Sequence, residues 1–255
     1  MLLDSIDLNP ILELWYLLPI IIIVSFFKTS TGKGILGEFL VNIAIRFKLD
    51  KNTYYLINNV TLPTEDGTTQ IDHIIVSKYG LFIIETKNMS GWIFGNEKQK
   101  YWTQKIYKTS NKFQNPLHQN YKHIKTIESS LNISIEKIFS VIVFVGDSSF
   151  KTKVPTNVVQ GMDFINYIKT KNNEILSSEE VKDIITSINS GRLSRTYKTY
   201  MNHSKHVKKI IKDKDNICVK CGSKMILRVA KRGSNIGNSF YGCSNYPKCR
   251  YIKDK

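Results

Sequence analysis

Gln70 to Asn88 read QIDHIIVSKYGLFIIETKN, two apolar runs with Asp72 near one end and Glu85 and Lys87 near the other. Side chains alternate along a strand, so Glu85 and Lys87 share a face with Leu81 and Ile83, and Asp72 shares one with Ile74 and Val76. A two-residue turn at Tyr79-Gly80 folds the runs into a hairpin. It brings Asp72 opposite or diagonal to Glu85 and Lys87, roughly 5 to 8 Å away. Two carboxylates that close repel each other and attract a divalent cation. Mg2+ prefers such oxygens, completed by a backbone carbonyl and waters. A lysine beside them can position or deprotonate a water, or stabilise charge building on a phosphate. That is the chemistry of metal-dependent phosphodiester cleavage. E-x-K alone is common as a surface salt bridge. Here it ends a strand apolar on both faces, and an upstream Asp matches its register.

The second chemical cluster is cysteine. Cys218 and Cys221 lie in ICVKCGSKM, and Cys243 and Cys249 in YGCSNYPKCRY. A Cys-x-x-Cys knuckle followed by a second pair has zinc-ligand spacing, and Gly222 and Gly242 let the chain turn beside its ligands. Two disulfides are the competing arrangement, but a cytoplasmic setting keeps thiols reduced. Four protein ligands close a tetrahedral site, so this zinc is structural and not catalytic.

FYGCSNYPKCRY, preceded by CVKCGSKM and LRVAKRGSNIG, resembles the zinc ribbon appended to bacterial type I DNA topoisomerases, over about Ile217 to Ile252. The resemblance implies single-stranded DNA binding. The residues agree: Phe240, Tyr241, Tyr246 and Tyr251 offer stacking faces among Lys220, Lys224, Arg228, Lys231, Arg232, Lys248 and Arg250. The same aromatics can build the ribbon's own small core, and the reading divides them between the two tasks.

GEFLVNIAI, then IDHIIVSKYGLFIIETKNMSGWIFG and later NPLHQNYKHIKTIESSL, resemble the NERD (nuclease-related) domain over about Lys33 to Gly146. That family looks like a branch of the PD-(D/E)xK nucleases, with a restriction-endonuclease-like fold. The resemblance implies Mg2+ or Mn2+ held by Asp72, Glu85 and the carbonyl of Thr86, with Lys87 as the catalytic lysine. It implies that Glu38 completes the acidic cluster and that Gln119 orients DNA or Lys87. Ile71 stands where the superfamily name has proline.

The elements that must position these residues follow from periodicity. Gly34–Leu49 has helical spacing with Glu38 in its first turn. Thr53–Leu62 reads as a strand, and PTEDGTTQ as a turn-rich loop. WIFGNEKQKYWTQK reads as a second hairpin with packed aromatics. Leu117–Leu131 is a helix after Pro116. Ile138–Gly146 is an apolar run suited to a strand buried on both faces. NVVQ, MDFINYIKT and SSEEVKDIITSI give a strand and two helices, the last opened by a capping box from Ser177 to Glu180. The expected fold class is α/β: a restriction-endonuclease-like central mixed sheet flanked by helices, preceded by one transmembrane helix and followed by a small zinc ribbon. His73 points away from Asp72 toward the core. His118 and His123 are assigned first to a solvated helix face and second to phosphate contact. His203 and His206 are assigned to a basic linker.

Charge and hydropathy set the surroundings. Residues 190–255 hold 17 Lys/Arg and 3 Asp/Glu, a net of +14, against +2 for residues 1–189. Such a basic tail suits a polyanion. Ile11 to Phe27 read ILELWYLLPIIIIVSFF, about the lower limit for crossing a bilayer. The preceding segment has Asp4 and Asp7 and no Lys or Arg, unlike a cleaved signal peptide. The expectation is a single-pass anchor, with Lys28 and Lys33 keeping the C-terminal bulk in the cytoplasm. The expected organisation is an N-terminal segment over 1–30 with its anchor at about 11–27. A NERD-like domain over 33–150, extended to about 189, follows, then a basic linker over 190–216 and a zinc ribbon over 217–255. Two other classes stay open: a non-catalytic DNA-tethering membrane protein, and a membrane-surface scaffold whose tail binds lipid.

Overall fold

The computed structural model describes residues 17–65, 67–194, 196, 198–199, 201–205, 207, 217–218, 220–231 and 235–254. Residues 11–16 of the expected anchor, Arg232 and most of the expected linker beyond His203 lie outside them. The first elements are α1 (Leu18–Lys28), α2 (Ser30–Lys48), β1 (Tyr54–Thr64), β2 (Gly67–Ser77), β3 (Gly80–Asn88), β4 (Gly91–Phe94), β5 (Tyr101–Ile106) and β6 (Thr109–Gln114). There follow α3 (Pro116–Leu131), β7 (Ile138–Val145), β8 (Ser148–Phe150), β9 (Val158–Gln160), α4 (Asp163–Lys169) and α5 (Ser178–Gly191). The last are β10 (Met225–Val229), β11 (Ser239–Cys243) and β12 (Ile252–Asp254).

The described residues divide into two compact units. One runs up to Thr64 and takes in Thr69–Leu193; the other comprises Glu65–Thr68 and the residues from Ser194 onward. The first is a mixed α/β structure around a five-stranded sheet ordered β1-β2-β3-β7-β9. β2 and β3 are antiparallel, while β3, β7 and β9 run parallel. β3 and β7 are apolar on both sides because both sides are covered. On one face Ile74, Val76, Leu81 and Ile83 pack with Ile124 and Ile127 of α3 and Ile184 and Ile188 of α5. On the other, Phe82, Ile84, Val141 and Val143 pack with Val41, Ala44 and Ile45 of α2 and Phe164, Ile165 and Ile168 of α4. The second unit contains the three-stranded sheet β10-β11-β12.

Local chemistry sets the ends of these elements. The Asn115 side chain accepts from the Leu117 N–H at 3.0 Å to start α3, with Pro116 at its first position, and Asn132 closes it in the left-handed region at φ 49°. Ser177 and Glu180 form the capping box of α5, as the sequence predicts.

The structure differs from the sequence expectations in two places. Ser77 pairs with Gly80, so the hairpin turn is Lys78-Tyr79 and not Tyr79-Gly80. Gly80, at φ 127°, starts β3 against the Phe139 ring, which an added Cβ would meet at 2.7 Å. The stretch expected as a loop, Pro63–Gln70, is mostly strand: β1 runs to Thr64 and β2 begins at Gly67, drawing on the β-branched Thr64, Thr68 and Thr69. The hairpin of Trp92 and Trp102 forms as expected, within a separate four-stranded sheet, β6-β5-β4-β8. There Trp102 is buried against Phe144, while Trp92 is half exposed. Among the described residues no single helix is long and apolar enough to cross a membrane; α1 and α2 meet that test only as a pair bent by 84°.

Candidate active site and metal centre

The β2–β3 ladder pairs His73 with Ile84, so one step further Asp72 falls opposite Glu85. Beyond that step a side chain takes over from the ladder. The Thr86 N–H donates to Asp72 Oδ2 at 2.8 Å. N–H and C=O of one strand residue point the same way, so the Thr86 carbonyl also faces the Asp72 side. Asp72, Glu85 and Lys87 emerge on the sheet face covered by α3, as the alternation predicts.

Glu85 is 2% exposed and is held at both oxygens. Lys87 Nζ lies 2.6 Å from Oε1, and His123 Nε2 lies 3.3 Å from Oε2. Lys87 Nζ also donates to Gln119 Oε1 at 3.0 Å. Gln119 thus contacts Lys87, a geometry compatible with one of the two roles that the family resemblance implies for it. α3 delivers Gln119 and His123 together because residues four apart share a helix face. The buried Asn120 fixes that helix to the sheet, its Nδ2 donating to the Ile83 carbonyl and to Ser140 Oγ, both at 2.8 Å.

Glu38 comes from α2, on the opposite side of the sheet. The close approach of α2 depends on Gly37, where a Cβ would lie 2.8 Å from Asn88 Cβ. Asn88 Nδ2 donates to the Lys33 carbonyl at 2.7 Å, pinning the same turn. His73 reaches from β2 to the Glu38 carbonyl at 3.2 Å. Burial pushes its imidazole down to about 4, so it is neutral and structural.

Electrostatically the cluster is short of positive charge. Burial, then the charges of Glu85 and Glu38, raise Asp72 well above the carboxylate range. Burial, then Glu85, raise Glu38 as well. Burial also acts to raise Glu85, but Lys87 and His123 together hold it below its ordinary value. Burial acts against the Lys87 ammonium, yet Glu85, Asp72 and Glu38 raise its pKa, so it is a firm cation. As a trio, Glu38, Asp72 and Glu85 do not close to the 4.8 Å spacing that the four cysteines reach.

His123 is the residue the sequence reading missed. It is buried, not on a solvated face, with Nδ1 2.7 Å from Thr69 Oγ1 and Nε2 on Glu85. Its four-residue spacing from Gln119 was the available signal. His118 is exposed, with its Nε2 2.7 Å from the Glu97 carbonyl.

In the second unit the four cysteine sulfurs lie within 4.8 Å of one another, with Cys218–Cys249 at 3.7 Å and Cys221–Cys243 at 3.3 Å. Tetrahedral zinc at about 2.3 Å from each thiolate places sulfurs about 3.8 Å apart, so the donor set fits structural Zn2+. Two turns gather it. Gly222, at φ 74°, closes the first through its N–H to the Cys218 carbonyl at 2.8 Å. The Cys249 N–H to the Asn245 carbonyl, at 2.9 Å, closes the second. Ser223 hydrogen bonds lower the Cys221 thiol to about 6, while burial pushes Cys243 up to about 12.

The ribbon's aromatics divide between core and surface. Tyr241 and Tyr251 pack against the cysteine cluster. Tyr246 is 59% exposed, with the Arg228 guanidinium 5.8 Å from its ring centre. Arg228 pairs with Phe240 across the β10–β11 ladder, and its stem lies over Gly242. Arg228, half-buried Phe240 and Tyr246 therefore share one surface. Lys231, Lys248 and Arg250 are exposed.

Residues 33–145 match the family described as the nuclease-related domain, NERD, and residues 215–255 match the topoisomerase DNA binding C4 zinc finger. An uncharacterized protein of Bacillus anthracis is 56% identical over 97 residues, covering 38% of this chain and 45% of that protein. DNA topoisomerase 1 of Methanocaldococcus jannaschii is 54% identical over 43 residues, 17% of this chain and 5% of that enzyme. The chain thus spans less than half the length of either curated relative. It carries a nuclease-related (NERD) domain followed by a topoisomerase-type C4 zinc ribbon.

Proposed function

We propose that this protein is a metal-dependent DNA nuclease of restriction-endonuclease-like fold, anchored in the cell membrane by a single pass, with its C-terminal bulk in the cytoplasm. The supporting observation is the convergence of Asp72, Glu85 and Lys87 just beyond the end of the β2–β3 ladder, with Gln119 holding the Lys87 ammonium. Asp72, Glu85 and the Thr86 carbonyl would hold Mg2+ or Mn2+, with Glu38 completing the acidic set. The raised Asp72 and Glu38 carboxylates fit such an ion, because a divalent charge offsets the cost of their burial and the repulsion each feels from Glu85. Bound there, the ion would supply Lewis-acid stabilisation of a scissile phosphate.

The chain's own groups supply the rest. Lys87, fixed as a cation, stabilises charge on the phosphate and orients a water; it does not serve as a base in this state. His123 braces the far oxygen of Glu85, setting the direction in which that carboxylate points. The zinc ribbon captures single strands or ends through Tyr246, Phe240, Arg228, Lys231, Lys248 and Arg250, with Arg232 assigned to the same task from sequence; Tyr241, expected to join them, packs against the cysteines instead.

The runner-up is a non-catalytic protein that tethers DNA at the membrane. It is favoured by the engagement of both Glu85 oxygens within the protein. The full chain, incubated with single-stranded, nicked and duplex DNA in Mg2+, Mn2+ or EDTA, tests the two. Cleavage that appears with metal and stops in EDTA supports the nuclease; salt-sensitive binding without cleavage under any metal supports the tether.

A further inference from the structure

The face of α2 turned away from the sheet is exposed and apolar. Its inner face, Gly37, Val41, Ala44 and Ile45, is buried in the core. Its outer face carries Ile35, Phe39, Leu40, Ile43 and Phe47, one stripe at helical spacing, with Phe39 56% and Phe47 81% exposed. A helix apolar on both sides is one that is covered on both sides. The sheet covers one. Among the described residues none buries the other.

We propose that this outer face lies in the headgroup layer of an anionic phospholipid bilayer, with α2 parallel to the membrane plane. Three observations select lipid as the occupant. First, the apolar surface continues into α1, which has no buried residue and exposes Leu18, Ile20 to Val24, Phe26 and Phe27. Four successive isoleucines make α1 apolar on every side, which suits acyl chains better than one flat partner surface. Second, α1 and α2 meet at 84°, so a helix along the bilayer normal delivers the next into its plane. Third, basic residues bracket the stripe. Lys28 ends α1 and Lys33 lies in the first turn of α2, while Arg46 and Lys48 lie in its last turn, at the level where headgroup phosphates sit.

The proposal deepens the membrane reading above, on which its choice of occupant rests. It also locates the candidate active site. Glu38 adjoins Phe39, so the acidic cluster is held about one helix diameter, ~10 Å, from the bilayer surface. A nucleic-acid strand would then reach it along the membrane.

Photo-cross-linking of the full chain tests this. p-Benzoylphenylalanine replaces Phe39, Phe47 or, as a control, Tyr121, which is exposed on α3 across the sheet. The protein is reconstituted into phosphatidylglycerol–phosphatidylethanolamine vesicles, irradiated, and split into samples with and without an alkaline carbonate wash. Lipid adducts at Phe39 and Phe47 but not at Tyr121 are expected. Cross-linked dimers at Phe39 and Phe47 would overturn the proposal in favour of a second copy of this chain, and no adduct at either position would overturn it outright. The wash reports on the anchor separately. Protein retained without lipid adducts leaves the anchor standing and the α2 face refuted; protein released but carrying adducts does the reverse.

Discussion

His123 Nε2 sits 3.3 Å from Glu85 Oε2, on the carboxylate whose other oxygen accepts from Lys87. The imidazole is held in turn by Thr69 Oγ1 at 2.7 Å. A chain of Thr69, His123 and Glu85 therefore fixes the carboxylate from below, while Lys87 and Gln119 fix it from the side.

His123→Ala should weaken activity and apparent Mg2+ affinity by about 10–100-fold, the cost of losing a group that orients a metal ligand. His123→Gln, which retains a donor, should recover part of it. Metal titrations of cleavage rate separate this from a folding defect: a structural role alone would lower the amount of active protein without moving the metal midpoint.

Asp72 and Glu38 set a pH dependence. Both folded pKa values are raised above their ordinary values, Asp72 well above, so the fold holds these protons more tightly than the unfolded chain does. Their contribution to stability is present below those ordinary values and is lost as pH rises through the folded values. Glu85, held low, opposes this on the acid side. The metal-free protein should therefore lose stability toward neutral pH, and Mg2+ should raise its Tm more at about pH 8 than at about pH 5, where protons compete for the ligands. Asp72→Asn keeps an oxygen for the Thr86 N–H but removes the charge. It should stabilise the metal-free fold by on the order of 1 kcal/mol and abolish the Mg2+ response.

Two tyrosines of the ribbon should behave differently. Tyr246→Ala removes an exposed ring and should weaken single-stranded DNA binding by about 1–3 kcal/mol, roughly 5–150-fold, without releasing zinc. Tyr241→Ala removes packing beside the cysteines and should loosen the ribbon itself, seen as faster zinc transfer to a chelator. Equal effects of both on DNA affinity with zinc retention unchanged would contradict the division.

Gly37→Ala would drive a methyl to 2.8 Å from Asn88 Cβ. α2 must move off β3, costing about 1–3 kcal/mol and displacing Glu38. Thermal unfolding and cleavage should fall together. Gly34, where an added Cβ meets open space, should accept alanine without loss of activity.

Much of this was legible in the sequence. Alternation and a two-residue turn together put Asp72, Glu85 and Lys87 on one face, because β2 and β3 are long and apolar enough for the period to be unambiguous. The cysteine spacing was read for the same reason: four ligands need two short turns. What escaped needed tertiary knowledge. His123 looks like any polar residue on an amphipathic helix until α3 is docked over Glu85. β6, TSNKFQ, has no apolar alternation because it is an edge strand exposed along most of its length. The turn register slipped by one because Gly80 is demanded by the Phe139 ring on a neighbouring strand, not by the turn.

The most direct measurement compares the intact protein with Lys87→Ala on the same DNA, in Mg2+ or Mn2+ and in EDTA. The account predicts metal-dependent cleavage by the parent, reduced at least about 100-fold in the variant, with DNA affinity nearly unchanged because binding resides in the ribbon. Equal cleavage by both proteins, or none by the parent under any metal, would contradict it.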